Sequence, residues 1–411
     1  MTMPSVSPQS CAWHPLQPIA RSVVVFSMLL GLSGCANFDI NPMNWFSGSE
    51  EVDVPKELVD IQTEVTLVRN WSSDIGNGQG DKFTMLVPAV DGGVVYAASE
   101  NGVVVATTAD QGDEVWRARL ENTITGGVGA GRGLVLLGTQ DAEVVALDQF
   151  DGTEKWRVPV TSEVLSAPQT NGDVVVAQTV DDKLIALDFN DGSRRWIYEA
   201  TLPALTLRGS GKPVFTTTGS VIAGFSNGTL VSVASENGVW RWEERVAVPE
   251  GQYDIDRVID VDGDLLLDGQ RVLASSYQGN LMALDVASGR IVWGYEASSY
   301  QGLALGFGNL YYCSDEGHIV AIRNNSENVV WTNEELEFRQ LTAPVTIGNY
   351  LAVADFEGYV HLLSQIDGRI VGRLRVDNEG VRANLVVSDG KLFAYGNSGR
   401  LIAFTPQSIT R

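Results

Sequence analysis

Alternating apolar and polar positions come in short runs along most of this chain. The runs recur in one order: a turn, an apolar strand, a second turn, and a strand ending in Trp. The segment QGNLMALDVASGRIVW, residues 278–293, shows the unit in full. Eight copies align without internal gaps when the first position is placed at Asn101, Asp141, Asp181, Asn227, Gln278, Glu316, Glu357 and Ser398. The second position is Gly in six copies, the residue that turns a chain at no steric cost. The fourth is always aliphatic, and the sixth is Ala or Ser in seven copies, with Leu362 the exception. Fifteen residues after the first position stands Trp116, Trp156, Trp196, Trp242, Trp293 or Trp331. The seventh copy has Gly372 there, and the eighth runs out of chain before reaching the slot.

A period of 38 to 51 residues, with short alternating strands and turn signals and no convincing amphipathic helix, predicts an all-β fold. That fold is an eight-bladed β-propeller of four-stranded antiparallel blades. The segment EVTLVRNW at 64–71 is an apolar strand ending in Trp that precedes the first copy and belongs to none. It predicts a ring closed by the N-terminal strand, which completes the last blade, places Trp71 in the vacant slot and removes exposed edges. The Trp series reads as packing anchors between blades, with the slot at Gly372 either looser or filled by a neighbour.

The first residues follow another pattern. Arg21, the apolar run VVVFSMLLGL at 23–32 and then Leu32-Ser33-Gly34-Cys35 match a bacterial lipoprotein signal, too short to span a membrane as a stable helix. Cleavage before Cys35 and its lipidation are expected, since several acyl chains hold a protein to a bilayer where one is marginal. Ala36 follows in place of the Asp that commonly retains such proteins at the inner membrane, which points to the periplasmic side of the outer membrane of a Gram-negative bacterium. The expected division is a signal peptide at 1–34, lipidated Cys35 and a polar tether at 35–60, and the propeller at 61–411.

A formal net charge of −23 argues against nucleic-acid binding and leaves an acidic surface suited to a basic protein partner. Cys11 falls in the leader and Cys35 carries lipid, so Cys313 stands alone and reads as a buried strand residue. Outside the leader the only histidines are His318 and His361, in unequal slots of different copies, which is no metal-ligand pattern. No Gly-x-Ser-x-Gly elbow is present. Asp148, Asp188 and Asp285, with Asp151, Asp191 and Asp367 in the turns that follow, sit where Asp caps and turns the chain. No catalytic residue, cofactor or metal is expected.

The period breaks twice. From Trp116 to Asp141 and from Trp156 to Asp181 the gap is 25 residues, but from Trp196 to Asn227 it is 31 and from Trp242 to Gln278 it is 36. The extra residues must form loops in consecutive blades, neighbours on one face where propeller loops bind. The first holds Leu202, Leu205, Leu207 and Arg208, and the second Asp256, Arg257, Asp260 and Asp262. Apolar side chains beside an Arg and a carboxylate group suit a partner-binding patch. A plainer reading has Leu205 and Leu207 opening a strand and DVDGD, residues 260–264, forming a solvated turn. The same DVDGD lacks the later Glu of a calcium loop.

The repeat resembles that of the quinoprotein alcohol dehydrogenases, whose quinone and calcium site needs an adjacent cysteine pair and long insertions that this chain lacks. The lipoprotein box, tether and eight repeats, together with LPALTLRG and IDRVIDVDGD, resemble the BamB family, propeller lipoproteins of the machinery that inserts β-barrel proteins into the outer membrane. That resemblance implies a non-catalytic scaffold of the BAM complex. In it Leu205, Leu207, Arg208, Asp260 and Asp262 contact the periplasmic POTRA domains of BamA, and unfolded outer-membrane proteins are a further partner. A quinone-dependent dehydrogenase and a scaffold for another envelope protein are the alternatives.

Overall fold

The computed structural model describes residues 53–80, 84–203, 205–206, 211–248 and 258–409. The signal-peptide and lipidation expectations, and the tether as far as residue 52, fall outside these. Among the described residues there is no helix, and 32 strands form eight four-stranded antiparallel sheets. Each of seven sheets takes its four strands in chain order, and the eighth has the order N-terminal strand, last strand, and the two before it. The eight-bladed propeller closed by the N-terminal strand is therefore what the chain forms. The closing strand, Val65–Asp74, pairs along its length with the final strand, Arg400–Ser408.

Pairing register explains the small sixth position of the repeat. Ala106, Ala146, Ala186, Ser232, Ala283, Ala321 and Ala403 lie directly opposite Trp116, Trp156, Trp196, Trp242, Trp293, Trp331 and Trp71. In blade 7 both partners change together, with Leu362 opposite Gly372, so the pair keeps one large and one small member but fills less space. The remaining space is filled from the closing strand: a Cβ on Gly372 would lie 2.6 Å from the Val65 carbonyl oxygen and 3.0 Å from its Cγ1.

Six of the eight blades are latched to the next by these indoles. Trp71, Trp116, Trp156, Trp196, Trp242 and Trp331 donate from Nε1 to backbone carbonyls of Ala109, Gln149, Phe189, Ser235, Val286 and Gln365 in the following blade. The turn they rest on needs Gly both for its backbone and for contact: Gly152 has φ 76°, and a Cβ there would lie 2.5 Å from the Trp116 ring. Blade 6 has Asn325 in the left-handed region of its corresponding turn. Trp293 of blade 5 is correspondingly only half-buried, and its Nε1 has no acceptor.

Cys313 ends a strand of blade 6, Asn309–Cys313, and is buried; burial alone pushes its thiol well above the usual range. The repeat carboxylates do cap turns: Asp148 accepts from Phe150 N, Asp188 from Asn190 N, and Asp285 from Ser288 N.

Candidate functional site

The inner strands of the blades surround a cavity of about 450 Å³. Its lining comes from segments at the start of those strands, among them Ser166, Lys212, Asp262, Asp264, Gln301 and Asn384. Both off-period stretches lead into it. One joins the outer strand Arg194–Glu199 to the inner strand Val214–Phe215, the other Trp240–Arg245 to Leu266–Asp268. They are neighbours, as expected for loops of consecutive blades. Lys212 Nζ lies 3.5 Å from Asp264 Oδ2, and a Cβ on Gly211 would lie 3.3 Å from the Asp262 carbonyl oxygen.

The five expected contact residues fare differently. Leu205 is exposed, at 48%. Leu207 and Arg208 lie outside the described residues. Asp262 is half-buried beside the cavity. Asp260 is buried, at 2%, and its backbone bridges to Tyr277. The reading of DVDGD as a solvated turn therefore fails at Asp260 and Val261, both withdrawn from solvent.

Burial raises the Asp260 carboxyl far above the usual carboxylate range, and the charges of Asp262 and Asp182 raise it further. Asp262 is raised by burial too, although its contact with the Asp260 carboxyl opposes the rise. Asp182, in the turn of blade 3 where most copies have Gly, is raised by burial and accepts a hydrogen bond from Ser226 Oγ. Charge on Asp262 and Asp182 thus adds to burial in disfavouring the Asp260 anion, and the Asp260 carboxyl holds its proton well above the usual range. Among the described residues no group of three or more His, Cys, Asp or Glu has the arrangement to hold a metal.

A second polar cluster lies in blade 7, and nothing in the repeat pattern announced it. His361 is fully buried, its Nε2 3.0 Å from Asp355 Oδ2 and its Nδ1 3.1 Å from Arg373 Nε. A guanidinium only donates, so Nδ1 is the acceptor and Nε2–H donates to Asp355: the ring is neutral. Burial depresses the His361 pKa against the pull of Asp355, with Arg373 and Arg339 adding to the depression. The two arginines also hold the chain entering the propeller: Arg339 Nη1 donates to the Lys56 carbonyl and Arg373 Nη1 to the Val59 carbonyl, each at 2.9 Å. Sequence spacing placed His361 in a strand and offered no sign of these partners.

Eight four-stranded blades in a ring around a central cavity define the β-propeller class. Within that class the chain belongs to the BamB family: a family model described as outer membrane protein assembly factor BamB matches residues 64–126 and 100–333. The outer membrane protein assembly factor BamB of Pseudomonas aeruginosa is 51% identical over 385 residues, covering 94% of this chain and 98% of its own. The crystal structure of BamB from Moraxella catarrhalis superposes with a TM-score of 0.75 at 29% identity, covering 82% of this chain and 99% of that one. A europium-containing methanol dehydrogenase, at 14% identity and a TM-score of 0.67 over 82% of this chain and 93% of its own, shares the fold alone.

Proposed function

We propose that the protein is a non-catalytic scaffold of the outer-membrane β-barrel assembly complex. It is anchored through acylated Cys35 on the periplasmic side of the outer membrane, with a leader at 1–34, a tether at 35–60 and the propeller from 61. The observation that carries the reading is the convergence of the two long connections beside one end of the axial cavity, in a chain of the BamB family. Leu205 in the first connection presents exposed apolar surface, and Asp262 and Asp264 at the end of the second line the cavity. Such a patch suits a basic protein surface with an apolar centre, here the POTRA domains of the barrel-inserting subunit. Leu207 and Arg208 belong to the same proposed contact.

Calorimetric titration of the soluble POTRA region tests this. Leu205→Ala, Arg208→Ala and Asp262→Lys should each weaken binding, and Arg208→Ala by about 2 kcal/mol or more if it is a central anchor. Asp260 is too buried for charge reversal to report on binding alone; Asp260→Asn is the informative change there. Wild-type affinity in folded Leu205, Arg208 and Asp262 variants would place the contact elsewhere. Absence of dye-linked alcohol oxidation after incubation with quinone and calcium separates a scaffold from a dehydrogenase.

A further inference from the structure

Residues 53–61, DVPKELVDI, carry the chain into the propeller ahead of the closing strand and belong to no strand themselves. Side chains and carbonyls of the ring hold them instead. Lys56 N donates to the Glu337 carbonyl at 3.0 Å, and Lys56 Nζ reaches the Glu337 carboxylate at 3.3 Å. Arg339 and Arg373 take the Lys56 and Val59 carbonyls. Leu58 and Ile61 are only half-buried, so these polar contacts carry much of the hold.

Arg373 is seated by few partners. Its Nε donates to His361 Nδ1 at 3.1 Å and its Nη1 to the Val59 carbonyl at 2.9 Å, while its Nη2 is buried with no acceptor. Burial and the nearby Arg339 already make the Arg373 cation costly. One of the two acceptors that keep the guanidinium under the entering segment is therefore a titratable ring.

The charges around that ring balance only while it is neutral. Asp355, just past the strand Tyr350–Ala354, accepts from His361 Nε2–H, and Arg339, from the connection before that strand, pairs with Asp355 at 2.8 Å and with Glu357. Tyr359, on the strand of His361 itself, lies 6.1 Å away between ring centroids, and Arg373 comes from the outer strand Ile370–Arg375. Glu335 acts on Arg373 from farther off. On the entering segment Glu57 and Asp60 are exposed, and Lys56 is engaged by Glu337, whose other carboxylate oxygen lies 3.4 Å from His318 Nε2. Two arginines thus meet two carboxylates, Asp355 and Glu357, about a neutral imidazole. A proton on His361 adds an uncompensated positive charge and sets N–H against N–H at Arg373.

We propose that residues 56–61 form an acid-released catch: uptake of a proton by His361 unseats Arg373, frees the Val59 carbonyl and lets this segment leave blade 7, while the closing strand Val65–Asp74 keeps the ring shut. The six residues, extended, add about 20 Å to the reach of the tether, a consequence that rests on the anchor at Cys35 proposed above. The hold is complete above the unfolded histidine value of about 6.5 and weakens as pH falls toward the depressed native one. Each pH unit below about 6.5 raises the open population by up to about tenfold.

Amide exchange by mass spectrometry on the whole mature protein, corrected for the intrinsic pH dependence of exchange, tests this. Protection of residues 56–61 should fall about tenfold from about pH 7.5 to about pH 5.5, with the closing strand unchanged. His361→Asn offers an amide oxygen in place of Nδ1 and takes up no proton, so its segment should stay protected at both pH values. Arg373→Gln should leave the segment open at both. His318→Gln should keep the wild-type response, because His318 meets Glu337 and not Arg373. Equal wild-type protection at the two pH values, a response that survives in His361→Asn, or one abolished by His318→Gln overturns the proposal. A His361→Asn chain that fails to fold leaves the decision to Arg373→Gln, in which a surviving response equally overturns it. Exchange here does not depend on lipid, so an unacylated Cys35 removes the effect on the tether and leaves the catch standing.

Discussion

At Asp260 a surface-type residue has been drawn into a site where its charge is costly, and the consequence is a defined dependence on pH. The native carboxyl holds its proton to higher pH than an unfolded one, whose pKa is about 4, because burial, Asp262 and Asp182 all disfavour the anion. Stability from this group is therefore complete below about pH 4 and is lost as pH rises through the raised native value. Asp260→Asn keeps the shape and removes the charge, so its melting temperature relative to wild type should be higher at about pH 8.5 than at about pH 5. A difference that does not change with pH would show that the native Asp260 carboxyl is not raised above its unfolded value. His361 runs the other way. Its native pKa lies below the unfolded value of about 6.5, so its contribution is present above that pH and falls away as the solution is acidified. Thermal melts from pH 7.5 to 5 should show a loss in wild type that is smaller in His361→Gln, which cannot take up the proton.

Between residue and molecule stands the Trp latch with the Gly-bearing turn it rests on. Trp242 is 5% exposed, donates to Val286 in the next blade and covers Gly289. Trp293 occupies the equivalent slot with no acceptor and is less buried. Trp242→Ala should thus cost about 3–5 kcal/mol, as large buried aromatics do, and Trp293→Ala less than half as much by denaturant titration. Equal costs would mean that the latch gains little from the turn beneath it. The entering segment is the other element with a measurable hold: Arg339 and Arg373 bind its carbonyls from a buried network. Arg373→Ala should increase amide exchange in residues 56–64 while leaving the Trp-latched blades protected, a local opening and not a global one.

For the ring as a whole, closure is the feature on which the rest depends. The N-terminal strand completes blade 8, supplies Trp71 to latch onto blade 1, and places Val65 in the space left by Gly372. Deleting residues 60–72 removes all three contributions at once and opens the edge of the last strand. A sharp fall in melting temperature and concentration-dependent association in sedimentation are the expected results; an unchanged melt would mean that blades 1 and 8 hold together without the strap.

The blade count, the closing strand and the role of Trp71 were legible in the chain because each depends on local alternation and on a repeat whose one vacancy matched one stray Trp. The positions of the two long connections were legible for the same reason, since added length in a strict period has to leave the ring. Burial along those connections was not, because it is set by residues far away in sequence. Asp260 reads as a solvated turn residue until Tyr277 and Asp182 are brought beside it, and His361 as a strand residue until Asp355, Arg339 and Arg373 surround it. The exchange of small-plus-Trp for Leu362-plus-Gly372 looks like two unrelated exceptions in one dimension and becomes a single packing solution once the strands are paired. Likewise Val292, Val330 and Val371 hold equivalent places in the repeat. Only the path of residues 58–65 across the ring covers one of them and leaves two open, because a local pattern specifies the edge of a blade while its cover comes from a segment hundreds of residues away.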